Sequence, residues 1–397
     1  MRIALLYDPW LLSARGTLDL DGYRDDPRGM TGSEQCAVRL YEELRGMGHV
    51  PLLFTNSSNY IKGMDGMLPW EERGTWDCDI AISINCPDGL RDVRAPFKVC
   101  YALLNDWTFA KVGFEQHVDL FASPSAPHLE QVMTNPAWRI AEAGSGRYEP
   151  DSSKWCVVPL GCDPERYEAF TKVPGRVVYC SSPDRGLHWL MQEWPAIKRA
   201  VPHAHLRIFY RLQKWIDDLK RAQDPQTLEV FHSVKALWER AVYIEEALRR
   251  LSDPKWGITV CDSVSRAQIE REMAEAEVLA YPCQTTTWSE GFSATILEAC
   301  IARACPVITD CDAIGAIYAD AASVTPVGNW EEWRGKVILA LTDKSFRDTQ
   351  NERAHEFALR HTWRNTAEQL MARIQERLWI TWKHIKTSEI TARLSSP

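Results

Sequence analysis

The chain is 397 residues long, with 54 acidic against 46 basic side chains and a formal net charge of −8. That length is natural for two domains rather than one, and the acidic balance gives no global attraction to nucleic acid or to an anionic membrane. No run approaches the roughly 18 apolar residues needed to cross a bilayer, so no stable membrane insertion is expected.

The opening stretch, MRIALLYDPW, lacks the charged start, apolar core and cleavage site of a secretory signal and reads as a buried strand over Arg2–Tyr7. The twelve cysteines lie scattered in apolar segments such as VVYC and LEAC, with no Cys-x-x-Cys pair and no Cys/His cluster at zinc spacing. They are read as reduced thiols of a cytoplasmic protein, with no metal site and no cofactor. After the first strand comes a stretch, Leu11–Met30, too long for an ordinary strand-to-helix loop. Two readings stand side by side for it, an acceptor-facing lid and a disordered insertion.

A helix is expected over Ser33–Arg45, with Ser33 as N-cap, apolar residues at Cys36, Ala37, Leu40, Tyr41 and Leu44, and a stop at Gly46 and Gly48. Strands are expected at Pro51–Thr55, Ile80–Ile84, Phe97–Leu103 and Leu120–Ser123. Around Leu160–Arg176 the pattern loosens into GCDPERYEAFTKVPG, and then the alternation restarts. It runs through strand Val177–Cys180, helix Leu187–Ala200 and strand His205–Tyr210. Strand Ile258–Val260, helix Gln268–Glu275, strand Val278–Tyr281, helix Ala294–Ala302 and strand Pro306–Thr309 follow. Strands alternating with helices imply a mainly parallel sheet covered on both faces. Two consecutive doubly wound Rossmann-like α/β domains are the simplest account, over residues 1–170 and 171–363, with a last helix in 364–397 packing back on the first. Between them, Arg211–Lys255 reads as an inserted helical pair with nearly balanced charges, a solvated face.

The stretch TTTWSEGFSATILEACIARACPVIT carries the most chemistry. Glu290 precedes Gly291, which lets the backbone turn tightly. Ser293 and Thr295 then open a helix whose free N–H groups and dipole suit a diphosphate. Glu298, two turns on, is placed to accept hydrogen bonds from hydroxyls. Carboxylate, anion-binding helix start and second carboxylate suit sugar, diphosphate and ribose in sequence.

The phrase Glu290-Gly291-Phe292-Ser293 through Glu298-Ala299, followed by Pro306-Val307-Ile308, resembles the signature of the family-4-type retaining glycosyltransferases of the GT-B fold. Three further phrases resemble that family in the expected order. These are Gly29-Met30-Thr31-Gly32-Ser33-Glu34 as a glycine-rich loop, Pro159-Leu160-Gly161-Cys162-Asp163 near an interdomain crossing, and Ser181-Ser182-Pro183-Asp184-Arg185-Gly186 as a phosphate loop. The resemblance implies two Rossmann-like domains facing a central cleft. It also implies transfer of a sugar from a nucleoside diphosphate sugar, most often a UDP-sugar, to a hydroxyl acceptor with retention and without metal.

Carried onto this chain, the resemblance gives Glu290 to the sugar hydroxyls, Glu298 to the ribose and Arg185 to the phosphates. Gly32, Ser182, Gly291, Phe292, Ser293 and Thr295 would stand around the donor, Val264 near its base, and Asp106 where the family commonly has a histidine. The chain departs from the family in having one basic residue in the phosphate loop rather than two, Ser293 for a second glycine and Cys305 for the glycine before Pro306. Neither substituted position calls for a positive φ on the sequence alone. His117, His128 and His188 have no convergent partners and read as structural. A glycan, a lipid-linked glycan, a protein, a small molecule and, least favoured, a modified DNA base stand as acceptors. A sugar-nucleotide epimerase and a silent nucleotide-sugar-binding protein are the alternative functions.

Overall fold

Residues 3–7 are buried at every position, the pattern of a strand covered on both faces, and both sheets of this computed structural model are built on such runs. The structure describes residues 1–9, 20, 22–56, 66–104, 107, 110–135, 140–141, 146–147, 149–221 and 232–394. They fall into two compact units: Met1–Leu20, Thr31–Leu160 and Trp363–Pro397 form one, Asp21–Met30 and Gly161–Thr362 the other.

The first unit runs β1 (Arg2–Tyr7), α1 (Gly32–Gly46), β2 (Val50–Thr55), β3 (Met67–Pro69), β4 (Ile80–Ile84), β5 (Lys98–Tyr101), β6 (Leu120–Ser123), α2 (Ala126–Thr134), β7 (Ile140–Ala141), β8 (Gly146–Arg147) and β9 (Trp155–Val157). Seven strands pair in parallel in the order β3-β2-β1-β4-β5-β6-β9, while β7 and β8 form a separate antiparallel pair. The three-residue strands β3 and β9 carry too few positions to show a period, so the sequence pattern passes over them. The N-cap of α1 is Thr31, not Ser33. Thr31 Oγ1 accepts from the Glu34 amide, and Glu34 Oε2 accepts from the Thr31 amide, a reciprocal capping box. The Ser33 hydroxyl turns instead to Tyr7 Oη at 2.9 Å. Beneath the sheet Trp107, Phe114, Phe121 and Trp155 form one aromatic cluster, with Phe121 and Trp155 stacked at 4.7 Å.

The second unit runs β10 (Arg176–Tyr179), α3 (Leu187–Ala200), β11 (His205–Ile208), α4 (Leu212–Arg221), α5 (His232–Arg250), β12 (Ile258–Val260), α6 (Arg266–Glu275), β13 (Val278–Tyr281), α7 (Ala294–Ile301), β14 (Cys305–Asp310), α8 (Ile314–Ile317), β15 (Ser323–Pro326), α9 (Trp330–Thr342) and α10 (Lys344–Leu359). Its six strands are parallel in the order β12-β11-β10-β13-β14-β15. That is the doubly wound order, with its reversal between β10 and β13. The inserted pair is not simply a solvated face: α5 buries Ala241, Ile244 and Ala247 along one side and packs on α3 and α4. The terminal helix, Trp363–Leu394, belongs to the first unit and packs on α1, and Thr366 Oγ1 donates to the Pro159 carbonyl at 2.9 Å. Among the described residues no helix is long and apolar enough to cross a membrane.

Candidate functional site

Ligands of doubly wound sheets bind at the carboxyl ends of the strands, where the strand order reverses. In the second unit that point lies between β10 and β13, and the loops leaving these two strands carry Arg185 and Glu290. The two side chains form an ion pair there, Arg185 Nη1 to Glu290 Oε1, with Glu290 only 2% exposed. Burial pushes the Glu290 carboxyl above its ordinary range, and the Arg185 charge opposes that push. The pair leaves demand unmet: among the described residues, Arg185 Nε and Glu290 Oε2 are buried without a hydrogen-bond partner. The Ser289 hydroxyl, on the loop after β13, and His188 Nδ1, in the first turn of α3, are in the same position.

Both loops are held from outside. Asp312, at the end of β14, accepts from the amides of Ser289 and Glu290 at 2.8 and 2.9 Å and from Thr285 Oγ1 at 3.0 Å. Arg240 of α5 donates from Nη1 to the carbonyls of Asp184 and Gln284, each at 2.5 Å. Neither residue stands out in sequence. Asp312 is legible only as a polar residue past the carboxyl end of a strand, and Arg240 is one charge among many on a mixed helix. Gly186 is required by geometry: its φ is +97°, and a side chain there would collide with the Pro282 carbonyl. Ser182 commits its hydroxyl to Asp184 within the same loop, and its carbonyl accepts from Tyr179 Oη at 2.7 Å. His188 stands beside Arg240, and burial with that charge lowers its pKa to about 3, so the ring is neutral.

The left-handed residue in the glutamate phrase is Ser293, at φ 64°, and not Gly291. The position where the chain has serine in place of glycine does require a positive φ. The Tyr318 hydroxyl, donating to the Ser293 carbonyl at 2.8 Å, helps hold it. Ser293 offers no side-chain cap to α7, so the first amides of that helix are left without a capping side chain, an arrangement that suits an anion. Thr295 donates to the Cys180 carbonyl at 2.9 Å, tying the helix start to the end of β10. Phe292 is buried, edge-on to Tyr318, so its ring packs into the unit.

Glu298 is not an open acceptor. Arg266, at the start of α6, grips it with both terminal nitrogens, Nη1 to Oε2 at 3.1 Å and Nη2 to Oε1. The same guanidinium reaches Tyr167 Oη at 2.8 Å and Glu270 Oε1 at 3.1 Å, and Glu270 is shared with Arg166 and Arg24. Burial opposes the Glu270 charge, but the guanidiniums outweigh it and hold its pKa below the ordinary value. An arginine just after the loop that follows β12 gives no local hint that it will meet Glu298. Val264 lies in that loop, and here part of the stretch after the first strand is seated. Arg28 offers its carbonyl to Ser263 Oγ and Arg211 Nη2, both at 2.7 Å, and Arg24 offers its own to the Ala267 amide at 2.9 Å. Gly29, at φ 75°, sits where a Cβ would lie 3.0 Å from the Val264 carbonyl.

In the first unit Gly32 is the first residue of α1, with open space around its Cα. Asp106 lies outside the described residues. His128 is structural as expected: Nδ1 meets Ser123 Oγ at 2.7 Å and Nε2 meets the Leu104 carbonyl at 3.0 Å, and burial lowers its pKa to about 4.

Residues 253–357 match the family model described as glycosyl transferases group 1. The fold is that of GT-B glycosyltransferases. AviGT4, a glycosyltransferase involved in avilamycin A biosynthesis, superposes with a TM-score of 0.59 at 16% identity, over 95% of this chain and 98% of that one. The sucrose-phosphate synthase of Thermosynechococcus elongatus gives 0.61 at 12% identity, over 96% and 99%. HepE of Anabaena, solved with UDP and glucose, gives 0.61 at 14%, over 95% and 100%. Among curated proteins, none matches the sequence at a significant level. The family match and the shared fold support glycosyl transfer.

Proposed function

We propose that this chain, with its GT-B fold and group 1 match, is a retaining, metal-independent glycosyltransferase that moves a sugar from a UDP-sugar to a hydroxyl acceptor. The Arg185–Glu290 pair at the strand-order reversal carries this reading, because its buried Nε and Oε2 call for polar ligand groups of opposite character. In this reading Glu290 accepts from sugar hydroxyls, Arg185 and the first amides of α7 face the diphosphate, and Glu298, held in place by Arg266, stands on the ribose side. The bond from the anomeric carbon to the phosphate oxygen breaks while the acceptor oxygen bonds to that carbon on the same face. The acceptor proton passes to the departing phosphate. Donors placed where that negative charge grows are usually the largest catalytic contribution. The UDP seen with HepE supports uridine as the carrier.

The test is a thermal-shift and hydrolysis screen against UDP-glucose, UDP-N-acetylglucosamine, GDP-mannose and ADP-glucose. One UDP-sugar is expected to raise the melting temperature and to be hydrolysed slowly, with the released sugar first appearing by proton NMR in the donor's own anomeric form. Stabilisation by none of them, an epimerised nucleotide sugar without transfer, or release of the inverted anomer would overturn the reading.

A further inference from the structure

The loop after β10 and the loop after β13 touch directly through Arg185 and Glu290, and they are also bridged by a residue that belongs to neither. Arg240 projects from α5 and uses a single nitrogen, Nη1, to donate to the Asp184 carbonyl on one loop and the Gln284 carbonyl on the other. Asp184 is the neighbour of Arg185, and Gln284 opens the loop that ends in Glu290. Its helix is a firm base for this reach, because the adjacent Ala241 and the following Ile244 and Ala247 are buried against the unit. The β13 side has a second anchor in Asp312, but among the described residues the side chain of Asp312 bonds only to that loop. The β10 loop is also held by bonds within itself, from Tyr179 Oη to the Ser182 carbonyl and from Ser182 Oγ to Asp184, and at its start by Ser181 Oγ to Tyr281 Oη and by Thr295 Oγ1 to the Cys180 carbonyl.

We infer that Arg240 is a positioning residue that sets the separation of Arg185 and Glu290 by clamping their two loops together. The helix that sequence patterning assigns to a solvated surface is thereby part of the reaction centre. A carbonyl on each loop binds one cationic nitrogen, so neither loop can shift without breaking a charge-assisted bond in a partly water-excluded place. The catalytic half of this inference rests on the nucleotide-sugar reading, and the clamp itself does not.

The experiment compares wild type, Arg240→Met and Arg240→Lys as full-length chains, by amide hydrogen exchange without ligand and by steady-state hydrolysis of UDP-glucose. Removing two bonds to a charged donor is expected to speed exchange over residues 182–186 and 284–290 by about tenfold or more in Arg240→Met. Exchange in the strands β10 and β13 should stay unchanged. Misplacing the pair should lower kcat by about 10- to 100-fold with little change in KM. Arg240→Lys, which keeps a cationic donor, should recover part of both effects. Wild-type exchange in both loops of a folded Arg240→Met chain would overturn the clamp. Loosened loops with unchanged kcat would overturn the positioning role. Should Arg240→Met not fold, Arg240→Lys carries the same comparison: faster exchange confined to the two loops supports the clamp, and exchange that is unchanged or faster throughout the unit overturns it. If wild type hydrolyses no nucleotide sugar, the functional reading fails, while the exchange result still decides the clamp.

Discussion

The two sheets reverse strand order in the same way, yet their reversal points are furnished differently. In the first, between β1 and β4, Asn85 offers Oδ1 to the amides of Leu103 and Leu104 at 2.7 and 3.1 Å, and Ser83 donates to the Cys86 carbonyl. Nearby, a neutral His128 bridges Ser123 and Leu104. These side chains shape loop backbone, although Asn85 Nδ2 is itself buried without a hydrogen-bond partner among the described residues. In the second, between β10 and β13, two opposite charges face each other and keep buried polar atoms unpartnered among the described residues. Burying such groups costs free energy unless something completes them. The second reversal point thus differs from the first in burying an ion pair, the feature on which the proposed donor site rests.

The contrast can be broken from the charged side. Arg266→Met takes from buried Glu298 the guanidinium that grips it, and should cost about 3–5 kcal/mol of stability in urea unfolding. Adding Glu298→Gln should return most of it, since the loss comes from an uncompensated charge and not from lost packing. Should Arg266→Met unfold like wild type, the grip on Glu298 is not part of what holds the second unit. Glu290→Gln acts on chemistry: it should lower kcat/KM for UDP-sugar hydrolysis by about 100-fold. A variant as active as wild type would remove Glu290 from the site.

The neutral side is sharpened by pH and by capping. His128 has a pKa of about 4 in the fold, against an ordinary value near 6.5. Between those values the unfolded chain binds more protons, so stability falls as pH drops from about 6.5 and levels off below about 4. The difference in unfolding free energy between wild type and His128→Gln should follow that course, and a pH-independent difference would mean that the imidazole charges freely in the fold. Thr31→Ala should cost only about 1 kcal/mol, the usual loss of an N-cap, with unfolding of Ser33→Ala as the contrast. Equal losses for the two would return the cap to Ser33.

Much of the fold was legible because it is written at short range. Helix Leu187–Ala200 and strands Arg2–Tyr7, Ile80–Ile84, Leu120–Ser123 and Val278–Tyr281 stand where their apolar periods put them. Strand Ser323–Pro326 and helices α9 and α10 escaped that reading, as did the cap at Thr31, although Thr31-Gly32-Ser33-Glu34 carries a capping box in its letters.

What the sequence by itself determined is two series of alternating strands and helices, and a glutamate phrase that puts Glu290 ahead of a helix start. Only the tertiary structure decided what each charge meets. Arg185 finds Glu290 because β10 and β13 are neighbours in the sheet, Arg266 takes Glu298 because α6 and α7 pack together, and Arg240 reaches two loops because α5 folds over α3. Periodicity and capping depend on residues a few positions apart, whereas a buried ion pair depends on which distant strands lie side by side.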